Sequence, residues 1–312
     1  MNEPPALSVV LGTGPLGLAV ARQLSARGQR VRAVSRSGGR DLPDGVEVGT
    51  ANLAETADVR QACAGAEVVY HCASPPYHRW RELHPQLMAA IIEGAAAAEA
   101  KLIFGDNLYA YGPVDGPIVE DLPYRAAGPN GQTRAQIAGD LMAAHEQGRV
   151  RAAIGRGSDF FGPHARQSQV GERVFARALA GKRAQLLGDP DAPHSVTYIE
   201  DFARALVTLG ERQEALGGVW HVPNDQAVST RRFVEMVFEQ LGRPVRLQVT
   251  PRWAVAMVGL FNPMIRAVTE QLYQVERPWV VDSSKFERTF GWRATPLPEA
   301  IRATLAWFRG HV

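Results

Sequence analysis

Three glycines in "GTGPLG", Gly12, Gly14 and Gly17, stand at the spacing G-x-G-x-x-G, directly after the apolar run "LSVVLG" and at the start of an amphipathic stretch. In that setting the first glycine permits a tight turn, the second lets the backbone approach a pyrophosphate, and the third lets helix and strand pack closely. Pro15 and Leu16 open the helix, whose N-terminus attracts the phosphates. The expected chemistry is dinucleotide binding. Further on, where a carboxylate would grip the ribose hydroxyls of NAD, the chain reads "VSRSGGR", with Ser35, Arg36, Ser37 and Arg40 and no acid before Asp41. A guanidinium there can fork two charge-assisted hydrogen bonds onto a 2′-phosphate, which a carboxylate would repel. NADP(H) is therefore expected in preference to NAD(H); the alternative is that Arg36 is only a solvated loop cation.

Other chemistries find little support. There is no G-x-S-x-G nucleophile elbow, which weighs against a hydrolase. Cys63 and Cys72 form no C-x-x-C pair, and His164 and His194 have no carboxylate or second His at ligand spacing, so no metal is expected. The 34 basic and 32 acidic residues leave a net charge of +2 with the arginines scattered, so no nucleic-acid partner is expected. No basic leader precedes an apolar core, and "WAVAMVGLFNPMIRAV" is broken by Asn262 and Pro263. That stretch reads as a packed helix pair, with no membrane partner, and a reduced cytoplasmic compartment fits the cysteines.

The elements that must position these groups follow from periodicity. With 312 residues, 46% of them apolar, the chain can bury a sizeable core. Short buried runs, "LSVVLG", "RVRAVSR", "EVVYHCA" and "KLIFGDN", alternate with amphipathic stretches such as "LGLAVARQLSARG". Strand, helix, strand in this rhythm implies a Rossmann-type, doubly wound parallel sheet. Past residue 165 the alternation weakens, and helices are expected through "GERVFARALAGK", "STRRFVEMVFEQLG" and "PEAIRATLAWFRG". The expected organisation is a dinucleotide domain of residues 1–166 plus about 195–221, with a smaller C-terminal α/β substrate domain of about 167–194 and 222–312.

Seven ordered segments, "GTGPLG", "ANL", "VVYHCASP", "YGPVDGPIVED", "GRGSDFFGP", "YIEDFARAL" and "DSSKFERTFGW", give the chain a resemblance to the extended short-chain dehydrogenase/reductase superfamily, often labelled NAD-dependent epimerase/dehydratase. The resemblance implies that Asn52 and Leu53 lie near the adenine and that Cys72, Ala73 and Ser74 run under the cofactor's ribose and phosphates. It also implies a Y-x-x-x-K pair for proton transfer, a window that falls here on "NGQTR". Asn130 stands in place of the Tyr, Arg134 in place of the Lys, and Asn107 in place of the superfamily's Ser. The chain thus resembles the atypical branch of the superfamily.

An amide exchanges no useful proton near neutral pH, so Asn130 is excluded as general acid or base. Arg134 can still hydrogen-bond a ribose and lend a positive field, and Asn107 can still polarise a carbonyl. If "DNLYAYG" continues as a strand, Asn107, Tyr109 and Tyr111 share a face. Sugar-nucleotide dehydratases of the superfamily carry a working carboxylate where Tyr109 stands, which makes Tyr109 the candidate relocated acid/base; the alternative is that Tyr109 and Tyr111 are both packing residues with a satisfied hydroxyl. Trp253, Met257, Phe261 and Met264 either line a hydrophobic substrate pocket or serve as core or homodimer contact, while Arg231 and Arg232 keep a sugar nucleotide in play. Three functions follow. They are an NADP(H)-dependent reductase or dehydrogenase of a small carbonyl-containing or hydrophobic substrate, a sugar-nucleotide epimerase/dehydratase, and a non-catalytic NADP(H)-sensing module.

Overall fold

The computed structural model describes residues 6–311, so residues 1–5 and 312 of the expected domains lie outside the described residues. Two compact units are present. The first holds the residues up to Ala110 together with Gly131–Arg156 and Phe202–Trp220, and the second holds Tyr111–Asn130, Gly157–Asp201 and the chain from His221 on.

The first unit is built on β1 (Leu7–Leu11), α1 (Pro15–Ala26), β2 (Arg30–Ser35), β3 (Glu47–Thr50), α2 (Thr56–Cys63), β4 (Ala66–His71), α3 (Trp80–Ala97), β5 (Lys101–Asp106), α4 (Pro129–Glu146) and β6 (Arg151–Arg156). The sheet order is Val219–His221, β6, β5, β4, β1, β2, β3, and β1 to β6 pair in parallel. All five residues of β1 are buried, as a parallel strand covered by helices on both faces requires. Val9, Leu11, Val69, Leu102 and Ile154 of the strands close the core with Ile91 of α3 and Ile137 and Leu141 of α4. Strand order reverses between β1 and β4, and the carboxyl ends of the strands at such a point are the usual ligand position in sheets of this kind. The Rossmann-type doubly wound sheet expected from the alternation is the observed fold.

The second unit has a separate core rich in phenylalanine. Phe161 meets Phe233 at 5.1 Å between ring centroids, and Phe175 stacks on Phe308 at 5.6 Å. Helix Thr230–Gln240 starts at Ser229, whose hydroxyl accepts from Arg232 N–H at 3.1 Å. Helix Leu297–Arg309 carries a proline in its first turn. The stretch "GERVFARALAGK" is only partly α-helical, with a π-helical turn over Gly171–Ala176 ahead of Arg177–Leu179. The unit takes in residues 111–130, 157–166 and 195–201, which the sequence division had placed with the sheet. Long-range pairings explain this. Ile118 N–H bonds to Val280 O at 2.8 Å, Ser195 N–H to Trp279 O at 2.8 Å, and Val196–Tyr198 pairs with Asp159–Phe161.

Candidate active site

The turn after β1 is shaped by backbone crowding. Gly12 has φ +100°, and a Cβ there would lie 2.6 Å from the Ala73 backbone. A Cβ on Gly17 would lie 1.8 Å from the carbonyl oxygen of Gly12, so only glycine lets α1 start this close to its strand. Gly14 differs, since a Cβ there would meet nothing within 4 Å. That open side faces out where α1 begins, and among the described residues no side chain caps this N-terminus, with Pro15 at its start and Leu16 after it. The first-turn N–H groups are therefore available to an anion. The cradle fits a dinucleotide pyrophosphate.

The neighbouring turns are tied to this one. Thr13 Oγ1–H reaches Ser35 Oγ at 2.9 Å and Gly38 O at 3.0 Å, and the Ser35 hydroxyl also donates to Gly38 O. Ser35 thus holds the turn while Arg36, just past β2, is exposed. Asn52 is exposed; its N–H donates to Asp58 Oδ2 at 2.9 Å and its Oδ1 accepts from Ala54 N–H at 3.3 Å. Leu53 is a core residue. After β4, Cys72 N–H bonds to Leu11 O at 2.8 Å. Burial pushes the Cys72 thiol up to about 12, which removes it as a nucleophile. Ala73 is the residue against Gly12, and Ser74 next to it is exposed.

At the end of β5 lies a buried ionic cluster with aromatic walls. Asp106 Oδ1 accepts from Arg134 Nη1 at 3.2 Å and its Oδ2 from Arg156 Nε at 3.0 Å, and none of the three side chains is more than 6% exposed. The Arg134 guanidinium lies 4.1 Å from the centroid of the Trp80 ring. Trp80 is fixed in turn by its indole N–H, which donates to Pro75 O at 3.1 Å, and the ring also packs against Tyr109 at 5.9 Å and Tyr77 at 4.5 Å. Burial pulls the Arg134 pKa down, while Asp106, then Tyr109 and Tyr77, act to hold it up. Arg134 is therefore a caged guanidinium, held by Asp106 and Trp80 one helical turn after the buried Asn130. Asn107 is half-buried and its Oδ1 accepts from Tyr109 N–H at 3.1 Å, a bond that uses the amide's acceptor and not its NH2.

That bond also corrects the reading of "DNLYAYG" as a continuing strand. Tyr109–Tyr111 is a turn of 3₁₀ helix, in which side chains two apart diverge. Tyr109 is half-exposed beside Trp80. Tyr111 is fully buried in the second unit, its hydroxyl 3.0 Å from His221 Nε2 and donating to Glu120 O at 3.2 Å. Tyr111 is a packing residue.

Asp106, Arg156 and His84 were missed in the sequence. A signal did exist: Asp106 and Arg156 end two apolar runs, "KLIFGD" and "RAAIGR", and are register partners across β5 and β6. His84 lies on α3 against Trp80 at 5.1 Å. His71, at the end of β4, stacks on Phe104 at 4.7 Å. Burial and then Arg134 push its pKa down to about 3, and the same two causes, then His71, push His84 lower still. Both rings are neutral at pH 7. Among the described residues no three His, Cys, Asp or Glu side chains gather as a metal site. His194 lies with Asp159 instead, Nε2 to Oδ2 at 3.0 Å.

Known proteins share this architecture. The family model described as "NAD dependent epimerase/dehydratase family" matches residues 9–222. Mouse (Mus musculus) sterol-4-alpha-carboxylate 3-dehydrogenase, decarboxylating, is 24% identical across 96% of this chain and 90% of its own length. A 2-alkyl-3-oxoalkanoate reductase of Stenotrophomonas maltophilia is 27% identical across 75% of this chain and 74% of its own. Among solved structures, dTDP-glucose 4,6-dehydratase from Bacillus anthracis in complex with NAD superposes with a TM-score of 0.82 at 15% identity, covering 98% of this chain and 97% of that one.

Proposed function

The chain belongs to the NAD-dependent epimerase/dehydratase family, of extended short-chain dehydrogenase/reductase type, and from that premise we propose that it is an NADP(H)-dependent oxidoreductase interconverting a ketone and a secondary alcohol on a lipophilic substrate. The observation that carries this reading is the half-exposed Tyr109 phenol packed on Trp80, with the caged Arg134 guanidinium against the same indole. In the cradle at Gly12, Gly14 and Gly17, a bound nicotinamide cofactor would give or take hydride. The protein's own part is the proton. In the reducing direction Tyr109 O–H protonates the carbonyl oxygen, and the fixed positive charge of Arg134 favours the phenolate left behind. The Asn107 NH2 donates to the same oxygen and steadies its developing charge.

One observation supports a lipophilic carbonyl over a sugar nucleotide, while the named relatives include both classes. Arg231 is held by both oxygens of Asp191, at 2.7 and 3.0 Å, and Arg232 by Glu235 and Glu239 at 3.2 and 2.6 Å, so neither is a ready diphosphate donor. The sterol carboxylate and oxoalkanoate relatives are named for substrates that carry the reacting oxygen on the carbon β to a carboxylate. A lipophilic 3-oxo or 3-hydroxy carboxylate is the class to try first.

The test uses NADPH deuterated on either face of C4, incubated with the protein and a panel of 3-oxoalkanoates. Protein-dependent deuterium in the alcohol, with kcat reduced at least about 100-fold in Tyr109→Phe, is the expected result. Full turnover by that variant would end the role of Tyr109. NADPH binding with no label transfer to any carbonyl would favour a cofactor-sensing module.

A further inference from the structure

Nine large apolar side chains are exposed among the described residues, and seven of them lie between Val245 and Met264. The concentration is greatest on helix Arg252–Gly259 and the turn after it, where Trp253 is 70%, Leu260 68% and Phe261 87% exposed. Trp253, Met257 and Leu260 stand at i, i+4 and i+7 and so form one stripe. The opposite side of the same helix is also apolar: Val255 is buried in a small cluster with Leu272 and Val275. This helix therefore spends one face on its own attachment and presents a second to water. The residues expected from sequence to form a packed pair or pocket lining are instead largely uncovered within their unit.

The hairpin is built so that its tip can leave water. The next helix, Pro263–Thr269, begins at Asn262, whose Oδ1 accepts from Met264 N–H at 2.9 Å and Ile265 N–H at 3.3 Å. The backbone donors at the tip are thus partly satisfied internally, as burial in an apolar medium requires. Gly259 lets the two helices close up, since a Cβ there would lie 3.3 Å from the Arg266 backbone. A short, closely packed wedge results.

Charge decides between the occupants such a face could have. From Gln240 to Thr269 the chain contains no Asp or Glu and four arginines, Arg243, Arg246, Arg252 and Arg266. Arg246 lines an open cavity of about 810 Å³ with Arg183 and Arg231. The first acids after the run, Glu270 and Glu276, answer it only in part, with Arg252 paired to Glu276 at 2.6 Å. A second copy docked face to face would bring two acid-free, cationic segments together. An anionic lipid surface instead offers phosphates to the arginines and acyl chains to Trp253, Leu260 and Phe261.

We propose that the hairpin 252–269 docks this protein on an anionic phospholipid bilayer, with Trp253, Leu260 and Phe261 at the boundary between headgroups and acyl chains. No helix among the described residues is long and apolar enough to cross a membrane, so the attachment is to one leaflet's surface. This departs from the absence of a membrane partner expected from the sequence. It is independent of the hydride-transfer reading, which is tested on substrates dispersed in water.

The experiment is co-sedimentation of the full chain with phosphatidylcholine vesicles, with and without phosphatidylglycerol, alongside tryptophan emission. Binding to the phosphatidylglycerol vesicles should exceed that to pure phosphatidylcholine at least about ten-fold and weaken with added salt. Emission should shift to the blue in the wild type and not in Trp253→Phe. Leu260→Asp with Phe261→Asp replaces exposed side chains, so the fold should survive, and partitioning should fall at least about ten-fold. Arg266→Glu should remove most of the phosphatidylglycerol preference. Failure to bind either vesicle overturns the proposal. So does self-association, without vesicle binding, that the same double substitution abolishes, since that would make the face a contact between copies of this chain.

Discussion

Arg36 and Arg134 show one residue type in two settings, one exposed and one buried, decided by where the backbone leaves them. Arg36 is exposed just beyond β2, with no carboxylate before Asp41 to compete for a phosphate. If it grips the 2′-phosphate, Arg36→Glu should weaken NADPH binding by about 10- to 100-fold, the loss of a charge-assisted fork, and leave NADH nearly unchanged. Paired fluorescence titrations with the two cofactors would show it, and an equal loss for both would mean that Arg36 merely shapes the turn. Arg134 carries its charge in a cage with Asp106 and Trp80. The resemblance alone singled it out in "NGQTR", and its partners come from β5 and α3, far away in sequence, where no local pattern names them.

At the scale of elements, strand, turn and helix agree wherever the sequence has a strong period. The unit β1, glycine turn, α1 is the clearest case, and its three glycines make separable predictions. Gly17→Ala puts a Cβ 1.8 Å from the Gly12 carbonyl oxygen, a clash with backbone that no rotamer relieves. It should cost about 3 kcal/mol or more in urea unfolding and abolish cofactor binding. Gly14→Ala meets open space, so the fold should hold within about 1 kcal/mol while NADPH binding weakens at least about ten-fold, because the methyl occupies the phosphate approach. A Gly14→Ala protein that binds normally would displace the cofactor from this turn. The period-2 reading failed at "NLYAYG" because Asn107 Oδ1 takes the Tyr109 N–H and turns the chain into a 3₁₀ helix. Side-chain capping of that kind competes with strand geometry.

Across the whole molecule, stability should carry the mark of two histidines buried without charge. His71 has a folded-state pKa of about 3 against an ordinary 6.5, and His84 moves the same way, chiefly because burial disfavours the imidazolium. Below pH 6.5 the unfolded chain takes up protons that the folded rings refuse. Their contribution is therefore complete above that pH and is lost as pH falls from about 6.5 toward 3. Glu120 and Glu270, both raised by burial, act in the opposite sense over the acid range. Urea unfolding at pH 7 and pH 5 should differ by about 2 kcal/mol for each histidine before that offset. His71→Phe, which keeps a ring on Phe104, should flatten the slope, and an unchanged slope would refute the account. By itself the sequence determined the alternation that makes a parallel sheet and the glycine turn at its switch point, because these are local patterns read within a few residues. Only the tertiary structure decided that Arg134 is caged, that Tyr109 and Tyr111 part company, and that Trp253 and Phe261 face water. Each of those outcomes depends on which distant side chain, if any, arrives to cover or pair a group, and that is settled by packing.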